Sequence, residues 1–288
     1  MKRPVFIVHG PAQPQRPVVL DSPHSGFAMP DDFGSVRTAA ELRDGEDCFI
    51  DELYLPVTAR GVPLLAAQFP RTYLDPNRHA GDLDLDLLSE PWPSGGVPYT
   101  PSGKARIGKA LIWRTLDDGS PIYARRLGVA EVQQRIERYH RPYHAQLRAL
   151  LDAAHARFGV VHHINCHAMN AVSGAMAEGG AGIARADIVL GDRDGTTCAP
   201  AFTRFVREFL GARGYQVKVN DPFKGVELVR AYADPAAGRH SLQLEVNKRL
   251  YMDSGTLTRH AGFDTLQAHL VQLIDAIAEH FAPKARHA

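Results

Sequence analysis

The sequence is poor in the features that mark special environments. It holds only three cysteines, Cys48, Cys166 and Cys198, in 288 residues. So sparse and odd a set gives no disulfide framework and fits a reducing compartment, so a cytoplasmic location is expected. No window approaches 18 apolar residues, and no transmembrane helix is expected. The opening stretch, Met1 to Gly10, has too short an apolar run to read as a signal peptide. Net charge is nearly absent as well: 33 Lys and Arg against 32 Asp and Glu leave +1. That balance lacks the broad positive field of a nucleic-acid or anionic-membrane binder, while leaving room for a local basic pocket. Internal repeats and low-complexity segments are missing too.

What is present is an ordinary globular composition, 44% hydrophobic and 23% charged, with an unusual 14 histidines. The length suits one large domain or two small ones. Short apolar runs at 17–21, 62–67, 159–167, 188–192, 215–220 and 241–247 read as strands. Between them, helical spacing appears over 47–60, 130–158, 202–214 and from Thr256 or Thr258 to Phe281, with Pro142 expected to kink the second. Residues 79–125 are rich in Pro and Gly, as in a lid or substrate-covering insertion. Alternating strands and helices with near-continuous apolar strands predict a single α/β domain over 1–288, built on a mixed, mostly parallel sheet flanked by helices. In such sheets ligands sit beyond the carboxyl ends of the strands, where His24, the 71–78 turn, His167, Asp192 and Asn220 are expected.

His24 and His167 each end a strand and could share a metal, though each also reads as a loop cap. A carboxylate would complete a three-ligand site, and Asp44, Glu46, Asp47 and Asp51 precede or open the first helix. Acids there are also ordinary helix caps. Arg71-Thr72-Tyr73-Leu74-Asp75-Pro76-Asn77-Arg78 packs two guanidinium forks into one turn, a pattern for carboxylates or simply a surface Arg–Asp pair. Glu245 lies inside an apolar strand, on the same face as Gln243 and on the opposite parity from His240. A carboxylate there needs a partner or a role, and general base is the obvious role. Gly180 to Arg185 imitates a dinucleotide fingerprint but lacks its third glycine and a preceding strand. Gly191 to Thr197 has no P-loop Lys, and Tyr139 to His144 reads as a polar helix face. Cys166 and His167 are adjacent on a strand and point to opposite faces, which disfavours a Cys/His nucleophile.

These segments, Ser22-Pro23-His24-Ser25-Gly26, Asp47 to Tyr54, Arg71 to Arg78, Asn165-Cys166-His167-Ala168-Met169, Asp187 to Arg193 and His240 to Asn247, resemble the N-formylglutamate amidohydrolase (deformylase) family in order and along nearly the whole chain. Asn165 departs from the pattern, where Asp is expected in many relatives. The chain is also distantly similar to zinc carboxypeptidases and aspartoacylases, which implies a sheet of related topology. The resemblance implies metal-dependent hydrolysis of N-formyl-L-glutamate to L-glutamate and formate in histidine degradation. It implies His24, Asp47 and His167 as ligands of a divalent metal, with zinc expected and Asp51 the fallback acid. It further implies Glu245 as base, and Arg71, Asn77, Arg78 and His240 around the substrate. The expected partner is a small formylated dicarboxylic amino acid, with neither nucleic acid nor membrane, and a homo-oligomer is left open. Other readings are a metallo-amidase for another acyl amino acid, a small carboxypeptidase, or a non-catalytic small-anion-binding protein.

Overall fold

A computed structural model describes residues 4–175 and 180–282; the side chain of Asp44 lies outside what is described. Nine strands are described: β1 Phe6–His9, β2 Val18–Ser22, β3 Leu64–Ala67, β4 Val161–Met169, β5 Ile188–Gly191, β6 Val217–Val219, β7 Arg239–Asn247, β8 Met252–Asp253 and β9 Thr258–Arg259. The helices are α1 Ala39–Leu42, α2 Ile50–Tyr54, α3 Val129–Arg135, α4 Arg141–Phe158, α5 Pro200–Gly211, α6 Glu227–Tyr232 and α7 Gly262–His280. Seven strands form one mixed sheet in the order β1-β3-β2-β4-β7-β5-β6. β3, β2, β4 and β7 are parallel, β1 runs antiparallel on the edge, and β5 with β6 runs antiparallel to β7.

The fold is thus the α/β domain with a mixed, mostly parallel sheet that the sequence predicts, with two consequential differences. The reversal of β5 and β6 carries Asp192 and Asn220 to the rim opposite His24 and His167. There Asp192 binds Asn220 Nδ2 at 2.7 Å and Thr203 Oγ1 at 2.7 Å, as a loop brace. The last helix begins at Gly262, not at Thr256 or Thr258, because Met252–Asp253 and Thr258–Arg259 pair as a small hairpin. Proline accounts for smaller departures. Beyond α2 the chain tightens into a 3-10 segment, Leu55–Arg60, with Pro56 near its start. Ahead of Pro142, Ile136–His140 widens into a π turn, which accommodates a ring that cannot donate and that crowds the preceding carbonyls.

Strand alternation divides the side chains between two cores. Leu20, Ile164, Cys166, Leu242, Leu244 and Val246 face α2, α5 and α7. Val19, Leu65, Ala67 and Val161 face α4 and the 79–125 segment. That segment is a wall: Leu83, Leu87, Leu111, Ile112 and Trp113 are buried against the sheet. Its backbone is tied to the 71–78 turn by Asp75 N donating to Leu111 O at 2.7 Å, and to itself by Leu111 N donating to Asp82 O at 2.8 Å. Across the second face, toward the carboxyl ends, apolar residues give way to a polar stripe. Register places Asp21 beside Asn165, Asn165 beside Gln243, His163 beside Ser241, and His167 beside Glu245. Among the described residues no helix is long and apolar enough to cross a membrane.

The His24 loop leaves β2 pressed against the end of β3. A Cβ on Gly26 would sit 2.3 Å from the Gln68 carbonyl carbon and 2.6 Å from Ala67 O. Both neighbours are backbone, so the strand itself would have to give way. Gly26→Ala is expected to destabilise the protein by roughly 1–3 kcal/mol, the usual range for overpacking. Urea unfolding checks this, and an unchanged midpoint contradicts so close an approach.

Candidate active site

Three loops and one strand bring the site together. His24 follows β2, Asp47 precedes α2, the 71–78 turn follows β3, and His167 lies near the end of β4. Asp47 therefore sits in the loop, ahead of the helix that the sequence spacing begins at that residue. Two residues on, Phe49 has φ 63°, a left-handed conformation that is strained for an aromatic residue and turns the chain sharply into α2. Ser25 fastens the two loops: its hydroxyl donates to Asp47 O at 3.3 Å and accepts from Asp51 N at 3.2 Å.

The His24, Asp47 and His167 side chains converge, with one ligand atom from each within 4.8 Å of the others. All three are buried, at 1%, 3% and 3% exposure. His24 Nε2 is 2.7 Å from Asp75 Oδ1 and His167 Nε2 is 2.7 Å from Asn165 Oδ1. Each outer oxygen calls for a proton on Nε2, which leaves both Nδ1 lone pairs directed at Asp47 Oδ2, at 3.3 and 3.0 Å. The Asn165 amide is oriented in turn by Asp21, whose Oδ1 accepts from Asn165 Nδ2 at 2.8 Å. Asp21 also accepts from His163 Nε2 at 2.8 Å and from Tyr143 OH at 2.8 Å. In these tautomers the two imidazoles and the carboxylate turn three acceptors toward one point, an arrangement suited to a cation. Two imidazole nitrogens and one carboxylate oxygen, each braced by an outer partner, are the donor set of an open three-ligand site. The group could hold a metal ion.

The electrostatics agree with that arrangement. Burial pushes the Asp47 carboxyl up, but hydrogen bonds from His167 and His24, made when the facing nitrogens carry the proton that a bound cation would displace, outweigh it and hold the group below the usual carboxylate range. Asp75 behaves alike: burial raises it, and His24, Arg71 and Arg78 around it bring it well below normal. Glu245 is different. Burial, reinforced by Asp47, pushes it up to about 7 against the opposing pull of His167 and Arg71. Its Oε1 accepts from Gln243 Nε2 at 2.8 Å.

The other sequence candidates separate clearly. Arg71 donates through Nη2 to Asp75 Oδ2 at 2.8 Å, lies 4.0 Å from Asp47, and stacks on Trp113 at 4.8 Å, while its Nε has no partner among the described residues. Arg78 turns inward, donating to Lys109 O at 3.2 Å and Asn77 O at 3.1 Å. Asn77 accepts from Leu228 N at 2.9 Å and places Nδ2 3.2 Å from His167 Nε2. Glu46 pairs with Arg43 at 2.7 Å, and Asp51 is not in the convergent group. His240 is a correction. It lies at the start of β7, roughly 16 Å along the strand from Glu245. There it stacks on His162 at 5.0 Å and accepts from Ala199 N at 3.2 Å, so it belongs to the opposite rim. Asp75 is the residue that sequence reasoning passed over as one half of an Arg–Asp pair.

Comparison with known proteins places this geometry. The model of the N-formylglutamate amidohydrolase family matches residues 16–252, a span that contains every residue of the convergent group as well as Asp75 and Glu245. The chain belongs to the N-formylglutamate amidohydrolase family. It is accordingly a hydrolase acting on an amide bond. It is similar to an N-formylglutamate deformylase of Pseudomonas putida, at 28% identity over 251 residues with 84% of each chain covered. The deformylase of Pseudomonas aeruginosa PAO1 is 29% identical over 249 residues, with 82% of each covered. The crystal structure of N-formylglutamate amidohydrolase from Ralstonia eutropha JMP134 is 46% identical, covers 96% of this chain and 97% of its own, and superposes with a TM-score of 0.87. An Agrobacterium tumefaciens gene product, 15% identical with a TM-score of 0.63, shares the fold.

In this member of the amidohydrolase family the outer partners should matter nearly as much as the convergent atoms. Asp75→Ala is expected to weaken zinc affinity roughly 10–100-fold, the usual effect of losing an outer hydrogen bond to a ligand. Titration against a chromogenic chelator measures this, and an affinity within twofold of wild type contradicts it. In the same assay Asp47→Ala should abolish tight binding while Asp51→Ala leaves it intact; equal, mild effects would remove Asp47 from the site.

Proposed function

We propose that this chain hydrolyses N-formyl-L-glutamate to L-glutamate and formate, with a divalent cation, zinc, held by His24, Asp47 and His167. The observation that carries the reading is the convergence of those three side chains one strand away from a buried, elevated carboxyl at Glu245. The deformylases of the two pseudomonads, named for that substrate, support it. When bound, the ion supplies a Lewis acid for the formyl oxygen and makes water acidic near neutral pH.

The protein side chains divide the remaining work. Glu245 accepts a proton from the attacking water and delivers it to the amide nitrogen as the C–N bond breaks. Its elevated pKa suits both halves of that exchange, and the Gln243 amide fixes one oxygen and leaves the other to the proton. Arg71, with Nε unpartnered and Trp113 behind it, offers donors to the developing oxyanion or to the nearer carboxylate. Asn77 and Arg78 act one step back, holding the turn that carries Arg71 and Asp75. The buried surroundings keep these charges in a low dielectric, where they act strongly. The reaction is proposed to serve histidine degradation in a reducing cytoplasm, consistent with three buried free cysteines.

Glu245→Gln keeps shape and removes the base. It should retain metal and lower kcat for formate release by roughly 10²–10⁴-fold, the usual contribution of acid–base catalysis. Metal analysis paired with a formate assay tests this, and turnover within a few-fold of wild type moves the base elsewhere.

A further inference from the structure

The reversed β5 brings to the active rim a segment that contributes no residue to the site described above. Residues 183–187 lead into β5 and lie beside the end of β7, since Val189 pairs with Glu245 and Ile188 with Val246. The segment is pinned on both sides. Asn247, on the same strand face as Glu245, donates through Nδ2 to Ala186 O at 3.0 Å and lies 3.4 Å from Arg185 O. Arg185 N donates to Ala171 O at 2.9 Å, four residues beyond His167. Arg185 is therefore fixed by its backbone just past both Glu245 and His167.

The Arg185 side chain is half-buried, with its guanidinium over the Phe223 ring at 4.9 Å. Among the described residues its side chain makes one long hydrogen bond, Nη1 to Asn170 O at 3.5 Å. Among the described residues it has no carboxylate within ion-pair distance, unlike Arg71 and Arg78, which both face Asp75. Burial lowers its pKa while Glu245 and Asp117 oppose that, so the group feels the catalytic carboxylate without being neutralised by it. A fork of this kind, seated on an aromatic ring and short of partners, is suited to a carboxylate that arrives with the ligand.

We propose that Arg185 receives the side-chain carboxylate of the substrate and so sets the preference for an acidic formyl amino acid. The inference rests on the function proposed above and assigns its two cationic contacts. Arg71, close to Asp47, serves the oxyanion and the carboxylate nearest the scissile bond. Arg185, beyond Glu245 on the facing side of the rim, serves the distal one.

Formate release from N-formylglutamate and N-formylglutamine, for wild type, R185A and R185K, tests the assignment. Wild type should prefer N-formylglutamate. R185A should lose roughly 10²-fold in kcat/KM on that substrate, chiefly through KM, because a fixed charge contact is left unmade in ground and transition states alike. On N-formylglutamine it should stay within about threefold of wild type, since that substrate brings no side-chain charge. Added guanidinium ion should restore part of the lost activity on N-formylglutamate, an effect that a merely structural role would not show. R185K keeps the charge without the fork, and its selectivity should fall between the two; it carries the same contrast if R185A does not fold. Equal losses on both substrates, or unchanged selectivity, overturn the assignment while leaving the hydrolase reading intact. Wild-type protein that releases formate from neither substrate overturns the parent reading and this one with it.

Discussion

The Asp47 carboxylate lies buried between two imidazoles whose outer nitrogens are already committed, and most of the surrounding polar structure follows from that. A charge buried there is unfavourable unless it is matched. His24 is held by Asp75, Asp75 is balanced by Arg71 and Arg78, and Arg71 is backed by Trp113. On the other side His167 is held by Asn165 and Asn165 by Asp21, which in turn needs His163 and Tyr143. One buried carboxylate thus commits two strands, α4 and the 71–78 turn to specific polar residues. The apolar core on the opposite sheet face absorbs none of this strain and continues as Leu, Ile and Val.

Topology decides which residues can take part. In the parallel block β3-β2-β4-β7 every strand end points to one rim, so His24, the 71–78 turn, His167 and Glu245 meet. β5 and β6 run the other way. The segment leading into β5 is delivered to that rim, and the residues just past β5 and β6 are withdrawn from it. The same reversal removes Asp192 and Asn220 from the site and brings Arg185 toward it. The 79–125 wall closes the second face and contributes the Trp113 platform, although it holds only short turns and isolated bridges.

Much of this was legible in the chain. The buried strands announce themselves as β-branched and leucine runs, and strand parity alone places Glu245 and Gln243 on the face opposite Leu242 and Leu244. The family resemblance selects Asp47 over Asp51, and the structure brings Asp47 to the imidazoles. Other features left no local signal. Strand direction is not written in a four-residue apolar run, so the reversal of β5 was invisible and Asp192 and Asn220 were misplaced. His240 sits in a family-like segment, but its distance from Glu245 depends on how far β7 extends before reaching the rim. The supporting role of Asp75 arises from a contact 51 residues distant in sequence, beyond the reach of any spacing argument. The start of the last helix was missed because a two-residue hairpin arm is too short to carry a period.

The central claim is that the His24, Asp47 and His167 atoms form one cation site on which amide hydrolysis depends. The most direct measurement is metal stoichiometry followed in parallel with formate release from N-formylglutamate, through chelation and readdition of zinc, with X-ray absorption on the loaded protein. The account predicts about one divalent ion per chain, a light-atom shell of nitrogen and oxygen at roughly 2.0–2.2 Å without sulfur, and activity that falls and returns in proportion to bound metal. Full activity in protein stripped of metal, or a shell containing cysteine sulfur, would contradict it.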